Sequence, residues 1–574
     1  MKDERYFTLR AHLYDRETDL TCTFKLEELE AVWYCTRKNV KRILMRLQKE
    51  GLIHYTPGKG RGNPSTLTFM TPFQQEISHF VKRSMDQGHL DEVAQLLRLP
   101  LPKNWIVNAS SDIRKMFGYQ QGPTSKDILH SFISRRVMTL DPLKVAISLE
   151  AHLIEQLGDP LVTYDSETDQ IRPHLAHHYT TEEEGRIWTF YLRKGVRFHH
   201  DEEMTSRDVE ATLLRTIDGP SSYAWMLRDI KDVQPDGLYK VTIYLEKPNP
   251  FFIRYLASPN LCILPHSLLF NENEWIATGP FRLKERKSQK LVLEAHDRYF
   301  KERPLLDEIH LHTVPSDTAE LVNFTIEDEN PAQPMEKHEI ESGFRFLAFN
   351  FHKQNIIQKP SFRRAIFHLL NMKEMAKALD WEDWIEASSF HFERSFHQNK
   401  DADQILPLLK RASYQGETIH VYHLVFQRAF EEASWFKNQA AKYGLVIELH
   451  PFSFDDFYEM NMEQHADLIF MGEVSSLDPH LSFLGAFYNE TLLFRRLFPE
   501  ERLKWIDQHL TRMKREENKQ IRESIMKKIE QYIREHDLLI FQHHPIKTRT
   551  FHPMIQDATF QSFGHFDFSK LWVK

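Results

Sequence analysis

Between Phe24 and Arg61 the apolar positions repeat first with a helical period and then with strand alternation. FKLEELEAVW sets Leu26, Leu29 and Val32 on one side, which predicts a short helix followed by a break through Tyr34 and Cys35. Thr36 is placed as the N-cap of a second helix, in which Val40, Ile43, Leu44 and Leu47 fall at i, i+3, i+4 and i+7. At ~100° per residue the opposite face carries Lys38, Arg42, Met45 and Lys49, flanked by Lys41 and Arg46. Gly51 suits the left-handed residue that ends such a helix. LIHYT and STLTF then read as two strands around the turn-rich segment PGKGRGNP. A helix, a tight turn, a basic helix and a hairpin together make a winged helix-turn-helix.

Beyond this head the pattern is looser. PFQQEISHFVKRSMDQGHLDEVAQLLRL is helical in period and LPLPKNW breaks it, so residues 71–123 read as a helical extension and linker. From residue 124 short strands alternate with helices. Between Glu500 and Asp537 dense charge interleaves with Leu503, Ile506, Leu510, Ile521, Ile525 and Ile529, predicting amphipathic helices before the strand LLIFQ. That apolar repeat is too short and uneven for a coiled coil.

Composition changes the picture in one respect. A chain of 574 residues suggests three or four folding units. With 41% hydrophobic and 27% charged residues, it is not a largely disordered one. The net charge of −8 argues against nucleic acid until it is divided. Residues 1–70 hold thirteen Lys+Arg against nine Asp+Glu, a net of +4, and the remainder holds 61 against 73, a net of −12. Between Thr36 and Arg61, eight basic residues face the single acid Glu50. The start MKDERYFTLR is charged, with no apolar stretch of signal-peptide length behind it, and no run reaches membrane-span length. Cys22, Cys35 and Cys262 form neither a disulfide framework nor a CxxC pair. The expectation is a cytoplasmic protein with no membrane partner.

Lys59 and Arg61 sit among glycines, which allow a hairpin tip to approach a phosphate backbone closely. A P-loop reading of GKGRG is rejected, because Gly60 stands where Ser/Thr is needed and the segment joins two strands. The DNA-binding candidates are therefore Thr36, Arg37, Lys38, Asn39, Lys41, Arg42, Lys49, Lys59 and Arg61, with base reading centred on Arg37, Lys38, Asn39 and Arg42. Thirty-one histidines occur as pairs and singles without HExxH. Neighbours along a strand point to opposite faces, so no metal and no cofactor are expected from the pairs. No GxSxG, Walker A or GxGxxG motif supports an enzyme.

A resemblance covers roughly residues 124–550. TLDP, DPLVTYDSETDQIRPHLA, WTFYLRKGVRFHHDEEMTSRDVEATLLR, ATGPFRLKE, LVLEAHDRYFKERPLLDEIHL, FNFHKQNIIQKPSFRRAIFHLLN and SLDPHLSFL, in that order, resemble family 5 extracellular solute-binding proteins. A winged helix ending in GKGRGNPSTLTF before such a body resembles the SgrR-type transcriptional regulators. The fold implied is multidomain α/β, a winged helix-turn-helix at 1–70 and a two-lobed periplasmic-binding-protein-like body of the family 5, type II kind at 124–574. Its first lobe is expected at about 124–340 and 500–574, its second at about 341–499. The partners implied are double-stranded DNA, a small-molecule effector and RNA polymerase, with self-association left open. The family's namesake responds to sugar-phosphate stress, so a sugar or sugar phosphate is the effector class implied.

In the peptide-binding relatives a Trp and an Asp precede the late DP, and the Asp holds the peptide amino group. Here Gly472 and Ser475 take those places, which counts against a peptide. Relatives also carry a glycine turn where His200-Asp201 stands. Candidate cleft residues are Tyr223, Trp225, Trp381 and Trp384 for their ring faces, Arg345 for an anion, and Glu473 and Ser475 at the late motif. A second reading stays open: a cytoplasmic solute-binding or adaptor protein whose basic head binds a protein partner.

Overall fold

The computed structural model describes residues 4–58, 63–86, 90–102, 105, 119–121, 126–133, 135–314, 335–459, 462–551, 555–556 and 567–573. The head opens with helix α1 (Glu4–Leu13), which precedes strand β1 (Thr21–Phe24), α2 (Leu26–Val32) and α3 (Arg37–Lys49). Strands β2 (Ile53–Thr56) and β3 (Ser65–Phe69) form the hairpin, and β3 pairs on its other side with β1 to close a three-stranded antiparallel sheet. The apolar stripe of α3 is buried as its spacing requires, and Gly51 takes φ +75° just past the helix end.

The head does not stop at the hairpin. Helices α4 (Phe73–Asp86) and α5 (Leu90–Leu96) send Phe73, Ile77, Phe80, Val93 and Leu96 into the same core as Leu9, Val40 and Leu44. Arg10 of α1 is fully buried at their junction. It bonds Glu17 at 2.9 Å and Glu76 of α4 at 3.2 Å, and its guanidinium lies 3.9 Å from the centre of the Phe69 ring.

The first lobe is built on a five-stranded sheet ordered Phe281–Lys287, Lys290–Ala295, Glu308–Thr313, Asp127–Ile133 and Tyr119–Gln121, in which the third and fourth strands run parallel. A four-stranded antiparallel sheet between Ala176 and Leu245 extends it. There alternation is clean: Trp188, Phe190 and Leu192 point inward opposite Val241 and Ile243. The second lobe centres on Gly343–Phe349, where every residue but Arg345 is buried, as in an interior strand covered on both faces.

One boundary is corrected. Residues from 500 onward were expected to close the first lobe. Strand Leu539–Phe541 instead pairs with Gly343–Phe349, and helices Glu500–Met513 and Lys519–Glu535 send Ile506, Leu510, Ile529 and Ile533 into the same continuous core as Phe344, Phe346 and Phe349. The amphipathic pattern specified the helices but not the surface they cover. Only near the end does the chain return, where Leu571 joins the first lobe's core and Phe568 packs on His152. The strands entering and leaving the second lobe, Met335–Ile340 and His543–Phe551, run side by side as an antiparallel ribbon. Two adjacent passages of this kind suit a hinge. Among the described residues no helix is long and apolar enough to cross a membrane.

Candidate nucleic-acid interface and effector cleft

Helix α3 presents its outer face to solvent. Lys38, Lys41, Arg42 and Lys49 are exposed, and among the described residues none of them is in an ion pair. Two other basic side chains are engaged. Arg37 reaches back to Glu27 at 2.6 Å and Glu30 at 2.8 Å on α2, and Arg46 lies 3.6 Å from Glu50. Arg37 thus fastens the turn between the helices instead of standing free beside Lys38. Asn39 is half-buried. Thr36 holds the N-cap position, but its side chain makes no capping hydrogen bond; its carbonyl accepts from the amides of Asn39 and Val40. Lys59 and Arg61 lie outside the described residues. Tyr34, which periodicity treated only as a break, is 96% exposed on the turn with φ +46°. It has no periodic signature that marks it.

Between the lobes lies a cleft of about 900 Å³, within the size range of small-molecule sites. Tyr223, Trp225 and Glu473 line it, whereas Arg345, Trp381, Trp384 and Ser475 do not. The reasons are local. Arg345 bonds Glu341 at 2.7 Å and lies across Gly472, so closely that a Cβ there would sit 2.4 Å from its Nη1. The space beside Gly472 is thus filled by a guanidinium. Trp381 stacks under Arg428, 4.2 Å away, and against His543, while Trp384 belongs to a strand paired with Pro545. Ser475 is buried, with its amide donating to Ser342.

The cleft wall on the first lobe holds a chain of polar groups that sequence spacing does not reveal. Lys301 Nζ donates to His174 Nδ1 at 2.6 Å. Because an ammonium only donates, His174 must carry its proton on Nε2, which donates to Asp159 Oδ1 at 2.6 Å. Tyr299 and Thr278 hydroxyls also donate to Asp159, at 3.0 and 2.9 Å. Burial works to raise the Asp159 carboxyl, but His174, Thr278 and Tyr299 outweigh it and hold it below the usual range. Burial lowers the Lys301 amine. Opposite, burial pushes the Glu473 carboxyl up to about 8, and among the described residues it has no ion-pair partner. Trp225 is buried against Tyr255 and Tyr488, and its indole N–H makes no hydrogen bond among the described residues.

Asp478 of the SLDP motif has two tasks. Its carboxylate accepts from the amides of His480 and Leu481, capping helix Pro479–Tyr488. It also takes a two-pronged ion pair from Arg254 of the first lobe, at 2.7 and 2.8 Å. Asp169 joins them, bonded by Arg254 at 2.9 Å and by Arg522 of the second lobe at 2.8 Å. The two lobes are therefore latched across the cleft by buried charge. The turn at His200-Asp201 keeps the shape that a glycine gives elsewhere, with Asp201 itself at φ +72°.

The head is fastened to the first lobe. Arg98, just past α5, donates to the carbonyls of Thr313 at 3.0 Å and Gln289 at 3.1 Å, and Val314 is part of the head's own core.

Residues 170–492 match the family model for bacterial extracellular solute-binding proteins, family 5 middle, and residues 2–110 match that for the sugar transport-related sRNA regulator N-terminus. The chain is 30% identical to the uncharacterized protein YhjP of Bacillus subtilis over 84% of each chain. It is 27% identical to the HTH-type transcriptional regulator SgrR of Pectobacterium atrosepticum over 80% of each. Among solved structures, the periplasmic binding protein DppA of Helicobacter pylori, in complex with a peptide, matches 78% of this chain and 98% of its own, with a TM-score of 0.67 at 18% identity.

Proposed function

Because the chain belongs to the SgrR-type transcriptional regulators, with a family 5 solute-binding body, we propose that it binds duplex DNA in the cytoplasm through α3 and the wing and alters that binding when a small molecule fills the cleft. The observation that carries this reading is the junction of head and body. Arg98 and Val314 tie the head to the strand where the chain leaves the first lobe. A ligand that draws the lobes together then acts on a strand the head is seated on, and by linkage DNA changes ligand affinity by the same factor. RNA polymerase is the partner on which the change acts.

The chemistry of the cleft favours a small polyhydroxylated anion, such as a sugar phosphate, over a peptide. Asp159 and Asp478 are already engaged by His174 and Arg254, and Ser475 brings no carboxylate to hold a peptide ammonium. Lys301 supplies positive charge, Trp225 a ring at the cleft wall, and Glu473, protonated at neutral pH, a donor to a hydroxyl.

Thermal melts of the full chain against sugar phosphates, sugars and short peptides test the reading. A sugar phosphate is expected to raise the melting temperature of the wild type but not of Lys301→Ala, and at saturation to shift operator affinity by about 5–150-fold. Stabilisation by peptides alone, or an operator affinity indifferent to a saturating ligand, contradicts it.

A further inference from the structure

On the first lobe's main sheet, away from the cleft lining, three histidines converge from strands about 180 residues apart in sequence. Strands Asp127–Ile133 and Glu308–Thr313 run parallel with His310 registered against His130, and His312 lies two residues along the same face as His310. His130 Nδ1 is 3.2 Å from His312 Nε2. The ring centroids of His130 and His310 are 4.7 Å apart. One nitrogen from each of the three lies within 4.8 Å of the others. His130 and His312 are buried, and His310 is close to it.

We propose that His130, His310 and His312 bind one divalent transition-metal ion of the zinc class. Nitrogens bound to one tetrahedral ion at ~2.0–2.1 Å stand roughly 3.3 Å apart, so the His130–His312 pair already has the needed spacing. A nitrogen of His310 lies within 4.8 Å of both and completes the set. Its Nε2 is held by Glu308 at 2.8 Å, which directs Nδ1 to the ion and reproduces the carboxylate–histidine support common behind such ligands. Glu308 is in turn kept anionic by Lys126 and Lys284, at 2.8 and 2.6 Å. Three imidazoles without a thiolate select a borderline ion such as Zn²⁺ over Ca²⁺ or Mg²⁺, and the fourth position is left to water or another donor. The site adjoins Thr313, whose carbonyl holds Arg98, so the ion would bind at the seat of the head.

A second group, His420, Glu448 and His450, sits on the second lobe and is more exposed, which makes it the natural competitor. Untagged full-length protein is titrated with Zn²⁺ by calorimetry and with Co²⁺ by visible spectroscopy, in the wild type and in His130→Gln, His310→Gln, Glu308→Gln and His420→Ala. The wild type should take one tight equivalent and show the intense visible bands of four-coordinate Co²⁺. His310→Gln and His130→Gln should each weaken binding by about 100-fold or more, and Glu308→Gln by about 10–100-fold. His420→Ala should leave it unchanged. If His130→Gln fails to fold, the less buried His310→Gln carries the test, with its metal-free melting curve as the control. Unchanged affinity in folded His310→Gln, loss of the tight equivalent in His420→Ala, or absence of the four-coordinate bands overturns the proposal.

Discussion

Arg10 in the head and Lys301 in the cleft are both basic side chains drawn out of water, and the molecule treats them differently. Around Arg10 all three guanidinium nitrogens donate hydrogen bonds, to Glu17, Glu76, the Thr71 carbonyl and the Tyr6 hydroxyl, with Phe69 and Phe73 packed on its face. Around Lys301 the neighbouring partner is the His174 ring, not a carboxylate, and across the cavity Glu473 has no ion-pair partner among the described residues. A closed network of buried charge holds a fold in one arrangement, whereas unanswered groups around a cavity wait for a molecule from outside. The comparison separates scaffold from site more sharply than residue type does.

The largest effect expected is at the closed network. Arg10→Ala leaves Glu17 and Glu76 with no counter-charge among the described residues and should cost the head about 3–5 kcal/mol, seen by calorimetry as an early separate transition. A melt unchanged from wild type would remove the distinction. Next comes the latch between the lobes. Arg254→Ala strips Asp478 of its bidentate partner but leaves Arg522 on Asp169, so a loss of roughly 2–3 kcal/mol is expected. Small-angle scattering should then report a larger radius of gyration as the lobes part. The same dimensions in the variant would mean that the latch does not set closure.

A smaller effect is expected at Glu473. Its folded pKa, about 8, lies above the ordinary carboxyl value, so the folded state holds a proton that the unfolded chain has released. The stabilising contribution is complete below about pH 4.5 and is lost as pH rises through 8. Because the carboxyl faces a cavity open to water, the loss should be on the order of 2 kcal/mol rather than the full shift. Glu473→Gln should flatten that part of the stability profile between pH 5 and 9. A variant with the wild-type slope would show that the carboxyl is not held protonated.

The same contrast explains what could be read from sequence. The head was largely legible because its information is local: four apolar residues on α3 face the core and the basics face away within thirteen positions. Even there, α1, β1 and the engagement of Arg37 leave no periodic signal, since they depend on contacts between elements. The two-lobed body was legible as an ordered set of family motifs, while the cleft was legible only in part. Tyr223, Trp225 and Glu473 line it, but the Asp159–His174–Lys301 chain joins residues up to about 140 positions apart with no common period. Arg345, Trp381 and Trp384 had the right chemistry and the wrong surroundings, each already packed against a neighbour within the second lobe or its ribbon.

The central claim is that the exposed face of α3 meets the DNA backbone. Operator affinity measured across a range of salt tests it most directly, because each phosphate neutralised adds about 0.9 to the slope of log affinity against log salt. Replacing Lys38 and Arg42 together with alanine should weaken binding and reduce that slope by about 2. A double variant that keeps the wild-type affinity and slope would place the DNA elsewhere and contradict the account.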